Sequence, residues 1–298
     1  METVLNIQNV TKYYGPLKAL DNVSFDVPEK SVFGILGPNG SGKTTMLSII
    51  LDVLKATNGT YLWFGKPSTH EDRKQIGSLL ETPNFYHYLS AYNNLKITQS
   101  ISGRGSEDEI AEVLKKVKLH ERQHSKFNSY SLGMKQRLAI AAALLGSPKV
   151  LVLDEPTNGL DPVGIAEIRE LILELRNNGH TIIIASHLLD EVEKVCTHVA
   201  ILKTGHLLTS GPVEEVLIDD DIVELGALNL NKLAEILKLI AKNVSIDSKQ
   251  QMVNITIPKG SAKLEELNQY CFDHGVVLNH LVIKKKRLET KFFELTNN

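Results

Sequence analysis

Two cysteines, Cys196 and Cys271, are all the thiol in this 298-residue chain. They lie far apart and form no CxxC pair. That excludes a thiolate metal site and a disulfide framework, and it suits a reducing cytosol. Two small buried apolar side chains is the plain reading of them. Long apolar runs are missing too: none reaches the roughly 18 residues a membrane-spanning helix needs. The first residues, Met1-Glu2-Thr3-Val4, carry neither the basic region nor the apolar stretch of a signal peptide. If the protein works at a membrane, another polypeptide is expected to provide the passage. There is no excess of one charge. A formal net charge of −2 gives no broad attraction for nucleic acid, so no nucleic-acid partner is expected. Internal repeats and low-complexity segments are absent. What is present is ordinary for a globular protein, 42% apolar and 23% charged. The length fits one large domain, or one large and one small.

Residues 3–35 read as strands, ending in the buried-strand run Val32-Phe33-Gly34-Ile35-Leu36. A glycine-rich turn follows, and then Thr45 to Leu54 reads as a helix. Residues 59–64 and 75–80 are further strand candidates. From about 84 to 146 the pattern is helical, with Ile110, Val113, Leu114 and Val117 at helical spacing and an alanine-rich apolar helix from Met134 to Leu145. Alternating units come next: strand Val150–Leu153, helix Gly164–Arg176, strand Thr181–Ala185 and helix Leu188–Val195. Strand–helix alternation predicts a parallel α/β sheet.

Around Pro212 and Asp219-Asp220-Asp221 the composition shifts, which places a boundary near residue 218. Beyond it, Leu230, Leu233, Ile236, Leu237 and Ile240 form an apolar helical stripe. Val253, Ile255 and Ile257 alternate with Asn254 and Thr256 as a half-buried strand does. A helix near 262–272, a strand near 276–283 and a short terminal helix complete a small α+β domain.

The chemistry concentrates in the glycine-rich turn, Gly37-Pro38-Asn39-Gly40-Ser41-Gly42-Lys43-Thr44-Thr45. Gly37-x4-Gly42-Lys43-Thr44 fits the phosphate-binding P-loop, and the strand before it and helix after it are the context that pattern requires. Glycines let successive backbone N–H groups point at one anion, at the start of a helix whose dipole favours negative charge. The pattern assigns Lys43 to the β- and γ-phosphates of ATP and the Thr44 hydroxyl to Mg²⁺. Val150-Leu151-Val152-Leu153-Asp154-Glu155 is an apolar strand ending in two carboxylates, and strand ends in an open α/β sheet face the ligand crevice. Asp154 is expected to hold Mg²⁺ through water, and Glu155 to act as general base on the attacking water. His187 follows the strand Thr181–Ala185 and sits on the same rim, within reach of a γ-phosphate.

With these motifs in order, residues 1–218 resemble the ATP-binding subunits of ABC transporters. The resemblance implies a RecA-like P-loop NTPase core with an antiparallel β subdomain and a helical subdomain at about 84–146. Tyr14, in Lys12-Tyr13-Tyr14-Gly15, resembles the aromatic that stacks on adenine, with Tyr13 as the rival assignment. Tyr130-Ser131-Leu132-Gly133-Met134-Lys135-Gln136-Arg137 resembles the family signature, Gly159-Leu160-Asp161 the D-loop, and His187 the switch histidine. Ser131 and Gly133 open a helix, so a hydroxyl and backbone N–H groups converge on an anion site. In the family, each signature closes over the ATP of a second subunit. A two-fold homodimer is therefore implied, as are transmembrane permease subunits and a peripheral place on the cytoplasmic face of a bacterial plasma membrane.

Two departures stand out. The usual Leu-Ser-Gly-Gly-Gln reads Tyr-Ser-Leu-Gly-Met here, so Leu132 and Met134 replace a glycine and a glutamine. In Ile76-Gly77-Ser78-Leu79-Leu80-Glu81-Thr82-Pro83, Glu81 takes the place of the Q-loop glutamine near Mg²⁺ and the attacking water. An ionised glutamate accepts hydrogen bonds but donates none. Mg²⁺ attracts it and a γ-phosphate repels it. At about 5 Å and an effective dielectric near 20, each opposed interaction is about 3 kcal/mol per unit charge. This run resembles the bacitracin and lantibiotic resistance subfamily, which implies export of an antimicrobial peptide or other drug. Phe85, Tyr86 and Tyr88 lie where the family docks its permease, though packing inside the helical subdomain accounts for them equally. Lys284-Lys285-Lys286-Arg287 reads as a solvated face or a contact for anionic lipid. The rival function is an ABC-type switch clamping a nucleic acid or ribosome. One P-loop, one signature and no long coiled coil weigh against it.

Overall fold

The computed structural model describes residues 2–80, 84–216, 221–241, 243–247, 251–258, 261 and 263–284. The chain divides into two compact units, Met1–Val216 and Leu217–Asn298.

In the first unit β1 (Thr3–Tyr14) and β2 (Leu17–Pro28) form a hairpin. β3 (Val32–Leu36), α1 (Lys43–Ile50), β4 (Asn58–Trp63), α2 (His70–Lys74) and β5 (Ile76–Leu79) follow. β1, β2 and β4 make an antiparallel sheet in the order β2-β1-β4. Helices α3 (Ala91–Ser102), α4 (Glu107–Lys116) and α5 (Leu132–Leu144) come next, then β6 (Val150–Asp154), α6 (Pro162–Asn177), β7 (Thr181–Ser186), α7 (Leu189–Val195), β8 (His198–Lys203), β9 (His206–Pro212) and α8 (Val213–Val216). The second sheet has the order β5-β6-β7-β3-β8-β9. It is parallel except for the β8–β9 hairpin at one edge. Every residue of β3, β6 and β7 is buried. Strands covered on both faces have no polar side to show, which is why they read as unbroken apolar runs.

The two sheets share one core. Phe25 of β2 stacks on Phe33 of β3 with ring centroids 5.3 Å apart, and the Trp63 indole donates to Ile50 O at 2.8 Å, pinning the end of α1 to β4. The helical part has its own caps: the hydroxyls of Ser90, Ser106 and Ser131 accept from the third backbone N–H of α3, α4 and α5, satisfying donors a helix start leaves open. The half-buried Arg104 guanidinium donates to Ile76 O at 2.8 Å and Ala142 O at 3.2 Å, tying β5 to the last turn of α5.

The second unit runs β10 (Asp221–Ala227), α9 (Leu230–Leu237), β11 (Asn243–Asp247), β12 (Met252–Ile257), α10 (Leu264–Asp273) and β13 (Leu278–Lys284). Its sheet order is β11-β12-β10-β13, antiparallel throughout. This β-α-β-β-α-β order is a ferredoxin-like split βαβ unit. Val223, Leu225, Val253 and Ile255 pack on Leu233, Leu237, Leu267 and Cys271 of the two helices. On β10 the alternate residue, Glu224, is buried and takes His280 Nε2 at 3.0 Å and the Lys284 ammonium.

Several elements differ from the sequence reading. α1 starts at Lys43, not Thr45, and stops at Ile50, because Asp52 adopts a positive φ of 61° and breaks the turn. The short α2 is capped by a Thr69–Asp72 box that sequence periodicity did not show. Strands β8, β9, β10 and β11 had no assignment. Asp221, read as a boundary residue, begins β10, and Ile240 lies beyond α9 and is half exposed. The short terminal helix lies outside the described residues, as do Lys285, Lys286 and Arg287. Cys196 and Cys271 are both buried free thiols.

Lys284 holds the Glu224 carboxyl below its ordinary 4.5, with His280 adding to the effect. A lowered carboxyl pKa stabilises the fold at pH above the unfolded value, and that stability is lost as pH falls through the folded one. Glu224→Gln should therefore cost about 1 kcal/mol at neutral pH. In urea unfolding the difference should shrink only below about pH 4.5.

Candidate functional site

The P-loop joins β3 to α1, so its position is set by a buried central strand on one side and a buried helix on the other. Gly37 has no room for a side chain: a Cβ there would lie 2.3 Å from Ser41 Oγ and 2.4 Å from Leu202 O. Lys43 is only 6% exposed. Its ammonium donates to Gly37 O at 2.9 Å and Pro38 O at 3.4 Å, and lies 3.6 Å from Glu155 Oε1. Thr44 Oγ1 donates to Asp154 Oδ2 at 2.9 Å.

Glu155 directly follows β6 with a positive φ of 48°, a conformation that costs a non-glycine residue about 1 kcal/mol or more. Its backbone N–H donates to Ala185 O of β7 at 2.9 Å, so the sheet itself holds the turn. The carboxylate then reaches both Lys43 and His187, whose Nδ1 is 2.9 Å from Glu155 Oε2. A carboxylate only accepts, so Nδ1 carries the hydrogen of that pair. The Ser186 hydroxyl accepts from Leu188 N at 3.0 Å and shapes the turn that presents His187. Lys43, Thr44, Asp154, Glu155 and His187 thus converge from the P-loop and the ends of β6 and β7.

A cavity of about 450 Å³ opens over the loop, lined by Asn39, Gly40, Gly42, Lys43, Thr44 and Thr45 on one side and by Tyr14 and Glu155 on others. Tyr14 lines it and Tyr13 does not. The ammonium of Lys12 sits 5.3 Å from the Tyr14 ring centroid. Pro38 shapes the loop through its carbonyl, and Ser41, 1% exposed, lies beneath it. Leu17, Lys18, Ala19 and Thr204 also line the cavity and went unmarked in the sequence. No motif flags them. Their place depends on strand pairing: Gly205 N donates to Ser41 O at 3.0 Å and Asp21 N to Gly205 O at 2.8 Å, which packs the β8–β9 turn and β2 against the P-loop.

Ser131, Gly133 and Asp161 stand apart from this cavity. Ser131 Oγ caps α5, accepting from Met134 N at 3.3 Å, and Asp161 Oδ1 caps α6, accepting from Gly164 N at 2.9 Å. Both caps are exposed and neither residue lines the P-loop cavity. Glu81 lies outside the described residues. Phe85 packs edge-on against Phe127 at 5.3 Å, while Tyr86 and Tyr88 are exposed.

A cradle too tight for a Cβ, a buried lysine at its centre and a hydroxyl–carboxylate pair beside it fit a nucleotide triphosphate. Fold and site together define a P-loop nucleotide-binding domain. A family model described as ABC transporter matches residues 20–158. The chain is 36% identical over 310 residues to the bacitracin transport ATP-binding protein BcrA of Enterococcus faecalis, covering 99% of this chain and 97% of that protein. It is 42% identical over 205 residues to the lantibiotic transport ATP-binding protein SrtF of Streptococcus pyogenes, covering 69% and 89%. Among solved structures it resembles a dimeric ATP-binding cassette bound to ADP and Pi in a post-hydrolysis state, at TM-score 0.62 and 28% identity, over 70% of this chain and 98% of that one. The chain belongs to the ATP-binding subunits of ABC transporters and is an ATPase.

Gly37→Ala should weaken binding of a fluorescent ATP analogue by about fivefold or more, since overpacking a rigid site costs about 1–3 kcal/mol.

Proposed function

We propose that two copies of this chain bind two ATP molecules between them and drive a separate membrane permease that expels an antimicrobial peptide of the bacitracin or lantibiotic type. The observation that carries the two-copy reading is the separation just described. Ser131 and Asp161 present capped helix starts to solvent, away from the chain's own P-loop cavity, so the site they would complete belongs to another copy.

In this reading the P-loop amides and Lys43 hold the β- and γ-phosphates, with Thr45 beside them, and Tyr14 stacks on the adenine. Thr44 and Asp154 are hard oxygen donors side by side, the set Mg²⁺ takes alongside its waters and the phosphates. When bound, that ion neutralises charge developing on the phosphate oxygens. Glu155 accepts a proton from the attacking water, and ADP leaves as the γ-phosphorus–oxygen bond breaks. His187 exchanges its Nδ1–H bond to Glu155 for one to the γ-phosphate. β5 runs parallel to β6 with Leu79 opposite Leu153, so the chain leaves β5 on the rim that carries Asp154. That exit supports Glu81 as a metal contact linking hydrolysis to the permease.

The permease is assigned to the face near Tyr86, where a cavity of about 330 Å³ is lined by Phe85, Tyr86, Asn94 and Ile101. Among the described residues no helix is long and apolar enough to cross a membrane, so the membrane path falls to the permease. Peripheral attachment at the cytoplasmic face follows. The substrate class rests on full-length similarity to a bacitracin transport protein. The second unit is a separate accessory domain beginning near residue 219.

Glu155→Gln should keep ATP-analogue binding, cut turnover about a hundredfold or more, and accumulate a two-chain species in size-exclusion chromatography. Cells carrying only this variant should be as sensitive to bacitracin or a lantibiotic as cells lacking the chain. Undiminished hydrolysis would show the base misassigned; unchanged resistance would refute the substrate class.

A further inference from the structure

The signature turn and the turn before α6 meet through four residues. A Cβ built on Gly159 would lie 3.2 Å from Leu132 Cδ2, and one built on Gly133 would lie 3.9 Å from Leu160 Cδ2. Each turn therefore offers a leucine to the other turn's glycine. Gly159 has a φ of 74°, which suits a residue without a side chain. Leu132 is nevertheless 48% exposed, so this is a surface contact between the first turn of α5 and the turn before α6, and no part of the buried core.

Both turns are short and internally bonded. Asn158 N donates to Glu155 O at 3.1 Å and Leu160 N to Thr157 O at 3.3 Å, so two consecutive turns lead from Glu155 to Asp161. On the other side, Lys135 N donates to Ser131 O at 2.9 Å and Met134 N to Ser131 Oγ at 3.3 Å. A contact between two such stiff segments transmits displacement, where a contact between slack ones would absorb it.

We infer that Leu132 and Leu160 form a reciprocal leucine–glycine latch with Gly159 and Gly133, and act as positioning residues that present Ser131 and Asp161 to a second copy as one unit. The latch gives Glu155 of one ATP site a mechanical link to the signature that the same chain lends to the other site. It rests on the two-copy reading above. Leu132, which breaks the glycine pair of the signature, has a structural purpose here: its side chain fills the space over Gly159.

The test uses the full chain with Leu132→Ala, Gly159→Ala and both together. Two measurements are made: hydrogen exchange without nucleotide, and ATP turnover. Leu132→Ala should speed amide exchange over residues 157–161. Gly159→Ala should lower kcat by a factor at least about three greater in the wild-type background than in the Leu132→Ala background, the coupling expected of side chains in contact. KM should change by less than about twofold, as expected if ground-state ATP binding at the P-loop is left intact. Unchanged exchange would overturn the latch. Altered exchange with equal kcat effects in the two backgrounds would overturn the positioning role. A specific activity independent of chain concentration would instead overturn the two-copy reading, and the exchange result would still decide the latch.

Discussion

A buried ammonium sets the terms for the rest of this molecule. Lys43 is 6% exposed, and a charge so withdrawn from water is costly unless neighbours compensate it. The compensation comes from two loop carbonyls, Gly37 O and Pro38 O, and from Glu155. The loop can supply its carbonyls only because Gly37 lets Ser41 and Leu202 close in. Glu155 can supply its carboxylate only because β7 holds its backbone in a left-handed turn. The site is thus stabilised by a cation whose proposed role is to meet phosphate. On the proposed reading, an arriving γ-phosphate would compete with Glu155 for Lys43 and free that carboxylate for water, so that binding and activation would draw on one interaction.

Around this centre the architecture divides the work. The parallel sheet fixes the ends of β3, β6 and β7, where the P-loop, Asp154, Glu155 and His187 are placed. The antiparallel sheet contributes Tyr14, Lys18 and Ala19 to the cavity wall and grips the end of α1 through Trp63. The helical part carries the signature at the start of α5, while Arg104 binds the far end of that helix to β5. α5 is therefore held at both ends, by Arg104 and by the Leu132–Gly159 contact.

Much of this was legible in the chain. β3, β6 and β7 announced themselves because strands buried on both faces must be apolar throughout. The P-loop, Asp154, Glu155 and His187 were legible as one cluster because each follows or ends one of these strands, whose apolar runs could be read. Leu17, Lys18, Ala19 and Thr204 were not, since they reach the cavity by pairing between distant segments. β9 and β11 were missed because exposed residues interrupt their apolar pattern, whereas the buried run Val199–Leu202 of β8 was apolar throughout and could have been read. β10 hides Glu224, a carboxylate inside a strand, whose burial makes sense only beside His280 and Lys284. The signature's Leu132 read as a loss when set against glycine; its contact with Gly159 could be seen only in three dimensions.

On the proposed reading, the P-loop of one copy is half a site and Ser131 and Asp161 of another complete it. ATP hydrolysis per chain, measured over about a hundredfold range of chain concentration, tests this most directly. Specific activity should rise in proportion to concentration at the low end and level off once chains are paired. Specific activity constant across the whole range, from chains shown to be single by light scattering, would contradict it.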